Sequence, residues 1–275
     1  MKHRRSYNVS KRIATGIVIT ALSAVVPTLA QQAPAPSQDP KPKTGTIGLY
    51  RNQPLAPDGP APKLADGTPD LSGVWLGSSA NAADITRALK PGDQVVMLPW
   101  AAEVVKNRQS KEDPEANCLP AGIPRGSPYP WRILQTPTHY FILYEGNIHS
   151  YRQIFMDGRS HPADPDPTWY GHSVGHWEEN TLVVDTAGFN DKFWFDYKGH
   201  PHTEKLHTIE RYTRTDLGHI SMEVTIDDPG AYSKPFTAVG KATLMPGTEL
   251  LEYICQENNQ DLPKLQGPAR GPGAE

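Results

Sequence analysis

Residues 220–227 read Ile-Ser-Met-Glu-Val-Thr-Ile-Asp. Apolar and polar side chains alternate with period two, which is the pattern of a β-strand buried on one face and wet on the other. Such a strand needs antiparallel neighbours and a second surface over its apolar side. Those neighbours are legible. Residues 207–214 lead into it through Asp216-Leu217-Gly218, and 236–244 follow, with 250–256 continuing after Pro246-Gly247. Residues 140–144 and 149–156 flank Glu145-Gly146-Asn147, and 176–178 face 181–185 across Glu179-Asn180. Residues 71–76 open the set, and 99–111, with Pro99 at the first position, are the one predicted helix. Short turns between sequential strands predict a mainly β domain, an antiparallel meander closing into a barrel. Closure removes exposed edges and leaves an interior that can hold a ligand.

The ends of the chain read differently. Residues 1–12 carry Lys2, Arg4, Arg5, Lys11 and Arg12, 13–26 are apolar, and Thr28-Leu29-Ala30 offers small residues for cleavage. That is the pattern of an export signal over residues 1–30, which places the mature chain in a periplasmic or extracellular compartment. Arg4-Arg5 fits twin-arginine export loosely, so ordinary secretion is the alternative. The apolar run is too short for a membrane span, and no later run reaches that length. The signal holds five of the 27 Lys and Arg and none of the 30 Asp and Glu, so the mature balance is 22 against 30, a net charge of −8. An acidic chain is a poor partner for nucleic acid or an anionic membrane. Residues 31–69 hold nine prolines and few large apolar residues, and are expected to be a disordered leader. Residues 261–275 are expected to be a second loose tail, which leaves 70–260 as one domain. Cys118 and Cys255 are the two cysteines, and an oxidising compartment predicts a disulfide between them, with two buried thiols as the alternative.

Two resemblances add to this reading. Gly73-Val74-Trp75 in the first strand resembles the Gly-x-Trp signature of lipocalin-like (calycin) barrels. The resemblance implies an eight-stranded barrel, although residues 79–132 make a longer first connection than such barrels have. PDLSGVW, CLPAGIPRG, MDGRSHP, GHSVGHWEENTLVVDTAGFND, HTIERY and TIDDP carry a resemblance, running from about Pro69 to Asn259, to a widespread family of exported bacterial proteins. That resemblance implies a single exported domain and assigns no chemistry.

The chemistry concentrates in one stretch. Seven of the ten histidines fall within the 59 residues 149–207, beside carboxylates, Arg159 and tryptophans. Imidazole titrates nearest neutrality and is the commonest metal ligand. In Met156–Pro162, Asp157-Gly158 is a turn signal, and Asp157 either caps the turn and pairs with Arg159 or helps line a site. Arg159 and His161 are expected at the barrel mouth, where a guanidinium suits a polar ligand. Gly171 and Gly175 rule out one helical face for His172 and His176. His172 is therefore read as a loop general acid/base, assisted by His161 and Asp157, with Arg159 holding developing negative charge.

Tyr170, Trp169, Trp194, Asn190 and His202 are candidate ligand contacts, and the aromatic stretch 187–205 is expected to cap the barrel. No cofactor is required. The alternative is zinc or another divalent transition metal held by His200, His202, His172 and Asp196. Glu210, Arg211, Glu223 and Asp227 are expected to pair across strands on the outer face. Phosphate loops, a Gly-x-Ser-x-Gly elbow and Cys-x-x-Cys are missing from the sequence. The expectation is an exported enzyme using histidine acid/base chemistry on a small molecule, as lyase, isomerase or hydrolase. A non-catalytic carrier of a hydrophobic ligand is the other class, and oligomeric state is left open.

Overall fold

The computed structural model describes residues 56–77, 80–126, 129–146, 150–257, 259–260 and 262–269. The predicted export signal, most of the Pro-rich leader and His149 lie outside the described residues. Nine strands close a barrel in sequence order. They are β1 (Gly73–Gly77), β2 (Pro130–Gln135), β3 (His139–Tyr144), β4 (Tyr151–Phe155), β5 (His172–Glu178), β6 (Thr181–Ala187), β7 (His207–Arg214), β8 (His219–Asp227) and β9 (Phe236–Leu244). The alternation in β8 does what its chemistry requires: Ile220, Met222, Val224 and Ile226 point inward and are buried. Between β1 and β2 lie a four-residue helical turn, α1 (Ala80–Ala83), and the helix α2 (Pro99–Asn107). Among the described residues no helix is long and apolar enough to cross a membrane.

Three expectations give way. First, the ladder is antiparallel except at one seam, where β4 and β5 run parallel through Ile154↔Ser173 and Phe155↔Val174. A parallel pair cannot be joined by a tight turn, because the chain must return to the starting end. Residues 156–171 therefore run back along the outside of the wall, and Asp157-Gly158 begins that crossover rather than a hairpin. Second, 250–256 form no strand. β9 closes the barrel on β1, with Trp75 opposite Leu244. Third, residues 267–269 of the predicted loose tail bond to the segment after α2. Ser110 N donates to Gly267 O at 3.1 Å and Ala269 N to Arg108 O at 2.9 Å. The described end of the leader is also placed, with Leu217 N donating to Gly59 O at 2.9 Å.

The core has two layers. Trp75, Trp131, Tyr140, Ile142, Leu182 and Tyr212 fill the barrel. Phe189, Phe193, Phe195, Tyr232 and Phe236 form the second cluster, where 188–206 folds over the end at which β5 begins. Asp228 pins that cap, accepting from Thr203 N at 2.6 Å and Thr203 Oγ1 at 2.7 Å. Residues 118–126 complete the closure. Arg125, almost fully buried, bonds Asp113 at 2.8 and 2.6 Å and lies 4.2 Å over the Tyr197 ring. Cys118 and Cys255 form the disulfide, tying this closure to the chain beyond β9 across 137 residues.

Candidate functional site

Period two decides what each strand can contribute. His172, Asp185 and His207 alternate with the inward residues Ser173, Thr186 and Thr208, so all three face outward. Gly171 lets the chain turn into β5. Its φ of +64° belongs to the left-handed region, and a Cβ there would meet Ala187 O at 2.7 Å. His172 consequently pairs with Ala187 at the start of a strand, not in a loop as its sequence predicts. The crossover then lays His161 against this face. His161 Nδ1 lies 2.9 Å from His172 Nδ1, and His161 Nε2 lies 3.1 Å from Asp185 Oδ1. His207 Nε2 reaches the same oxygen at 2.7 Å.

The hydrogen-bond accounting assigns the protons. A carboxylate only accepts, so neutral His161 carries its proton on Nε2 and presents a bare Nδ1. His172 must then donate from Nδ1, which leaves the lone pair of its Nε2 free. Burial, then the neighbouring His161 and the Arg159 cation, push the His172 pKa below its ordinary value of 6.5. The ring is thus neutral at pH 7, the state a general base needs. It stacks on Phe155 with centroids 5.0 Å apart, and the Arg159 guanidinium sits 3.8 Å from the centroid of the same ring.

Asp157 and Arg159 belong to this cluster in a changed role. Arg159 Nε donates to Asp157 at 2.9 and 3.0 Å, and Nη2 donates at 2.5 Å. Those bonds hold the Asp157 carboxyl down at about 2. The guanidinium is already matched to a carboxylate, so it orients the turn and biases His172 instead of waiting for an anion. Asp157, Arg159, His161 and His172 are brought together, but on the outer wall of the barrel and not in its mouth. Asp185 and His207 complete the group. Their signal was the shared outward phase with His172 across β5, β6 and β7.

The predicted ligand contacts are elsewhere. Tyr170 stacks on Tyr144 at 5.4 Å and bonds Ser150 Oγ at 3.0 Å, and Trp169 is packed against the cap cluster. Trp194 is buried under the Arg108 guanidinium, 4.5 Å from its centroid. Asn190 Oδ1 accepts from Lys192 N at 3.1 Å. These four act in packing and turns. His202 is buried against Phe193, ring centroids 3.8 Å apart, and burial lowers its pKa to about 4.

The four metal-ligand candidates do not converge, because His172 is on the outer wall and His202 lies between Phe193 and Phe195. A different trio, Asp84, Asp196 and His200, brings one donor atom each within 4.8 Å of one another. Asp196 Oδ2 already accepts from Ile85 N at 2.8 Å and His200 Nδ1 at 2.6 Å. Its carboxylate joins the cap to the segment after α1.

Inside the wall, Glu210 corrects a second expectation. It faces Arg152 in the barrel interior, not a cation on the surface. Arg152 Nε donates to Ser173 Oγ at 3.0 Å and Nη2 to Thr186 Oγ1 at 2.7 Å, while Tyr212 OH donates to Glu210 at 2.6 Å. Burial alone pulls the Arg152 pKa down, but the Glu210 carboxylate outweighs it and the guanidinium stays charged. Of the other predicted outer-face residues, Arg211 pairs with Glu178 at 2.7 Å and Glu223 with Lys90 at 3.0 Å. Comparison with models of known families, with curated proteins and with solved structures gave no match.

Proposed function

We propose that this chain is an exported enzyme in which His172 acts as general base and then general acid on a small-molecule substrate. The observation that carries the reading is the chain Asp185–His161–His172, whose two inter-residue distances are 3.1 and 2.9 Å. In it Asp185 fixes the His161 tautomer, and His161 fixes that of His172. The half-buried His172 Nε2 removes a proton from the substrate while Nδ1–H stays bonded to His161. The imidazolium so formed is stabilised through His161 toward Asp185, and Nε2 returns the proton to the product or leaving group. This is the economy of a lyase, isomerase or hydrolase step, and it draws on imidazole chemistry alone. Export rests on the N-terminal signal pattern and on the Cys118–Cys255 disulfide, which suits an oxidising compartment.

Hydrolysis of 4-nitrophenyl acetate by the purified chain tests the base. The expected result is a His172-dependent rate that falls at least tenfold in His172→Ala, since general acid–base groups contribute about 10²–10⁴-fold. An unchanged rate in that variant removes His172 from the chemistry. Binding of small molecules without turnover of any of them favours the carrier reading.

A further inference from the structure

The same strands that carry the histidines outward enclose a chamber on their inner side. It lies beneath the 118–126 closure and holds about 40 Å³ of space for the centres of water-sized molecules. Ile142, Met222, Val224 and Ile123 give apolar walls, and Trp131, Tyr144, Tyr212 and Glu210 give a polar portion. No histidine lines it, so it is separate from the site of the proposed reaction and does not depend on it.

Its hydrogen bonding is unbalanced. Trp131 is 3 % exposed, and its buried Nε1 has no acceptor among the described residues. A buried donor without a partner costs about 1–3 kcal/mol, and native interiors keep few of them. Glu210, by contrast, accepts from both Arg152 and Tyr212. The unmet group is therefore a donor, the Trp131 N–H. The paired charges of Arg152 and Glu210 cancel, so a ligand bearing net charge would be desolvated with no counter-charge to meet it.

We infer that this chamber binds a small neutral molecule, a flat apolar body carrying one carbonyl-type acceptor that receives the free Trp131 N–H. The apolar walls take the body, and the acceptor supplies orientation, as in other concave sites with few polar groups.

The test is calorimetric and NMR titration of the full chain with acetophenone, using isopropylbenzene as the isostere without the acceptor. Expected are saturable acetophenone binding with a Kd of about 1 mM or tighter and a shift of the Trp131 indole N–H resonance. Isopropylbenzene should bind the parent chain, and acetophenone the Trp131→Phe variant, at least fivefold more weakly, and Val224→Phe, which fills the chamber, should abolish binding. His172→Ala should bind acetophenone like the parent chain, which separates this site from the proposed catalytic one. Absence of saturation at 10 mM (about ten times the expected Kd), equal affinity in Trp131→Phe and Val224→Phe, or loss of binding in His172→Ala would each overturn the inference.

Discussion

His202 makes the chain acid-sensitive in a calculable way. Its ring is buried between Phe193 and Phe195, Nε2 has no partner among the described residues, and Nδ1 meets only Thr203 O at 3.3 Å. Burial lowers its pKa from 6.5 to about 4. As pH falls, the unfolded chain takes up the proton first, so stability falls wherever the two states differ in protonation. The contribution is intact above about pH 6.5 and is lost progressively toward pH 4. By linkage the loss amounts to about 2 kcal/mol at pH 5 and about 3 kcal/mol at pH 4. His202→Leu removes the titrating group and keeps an apolar filler. Urea unfolding at pH 7.5 and pH 4 should show the parent chain losing about 3 kcal/mol more than His202→Leu over that interval. Equal losses in the two proteins would show that His202 is not held neutral by its surroundings, and the reasoning from burial would fail.

Three other outcomes follow from the fold. Glu210→Leu leaves a buried guanidinium unpaired and should cost about 3–5 kcal/mol, whereas Glu210→Leu with Arg152→Met should recover most of it; equal losses in urea unfolding would discount the pair. Replacing both Cys118 and Cys255 by Ser frees a 137-residue loop and should lower stability by up to about 5 kcal/mol in the chain-entropy account, with an unchanged Tm as the contrary result. Gly122→Ala puts a Cβ 2.3 Å from the Phe193 ring at a φ of +68°. It should cost about 2 kcal/mol or more and loosen the closure, read as faster amide exchange in 189–195; unchanged exchange would contradict that contact.

Legibility followed the phase of the strands. In β8 the apolar residues are the inward ones, so composition and geometry agree. In β7 they disagree. Thr208, Glu210, Tyr212 and Arg214 point inward and Ile209 outward, because the interior is partly polar there. The register across the turn carried the answer: Val224 is inward, Glu210 is its direct partner, and partners share a face. The parallel seam was hidden for another reason. An Asp-Gly pair after a strand signals a turn whichever way the chain then runs, and only the 16-residue separation of β4 from β5 speaks for a crossover. That misreading put His161 at the mouth, whereas the crossover carries it along the wall. It did not separate His161 from His172, because both lie on the return path toward the start of β5. His202 and Trp194 looked like ligand contacts because aromatic and imidazole rings have the same composition in a pocket and in a cap.

The most direct test of the account is long-range ¹H–¹⁵N NMR of the imidazole rings between pH 5 and 8. The account predicts that His161 carries its proton on Nε2 and His172 on Nδ1, with a bare Nε2 on His172 that titrates below 6.5. It also predicts that Asp185→Asn disturbs both rings. A His172 protonated at Nε2, titrating at or above 6.5 and indifferent to Asp185→Asn, would contradict it.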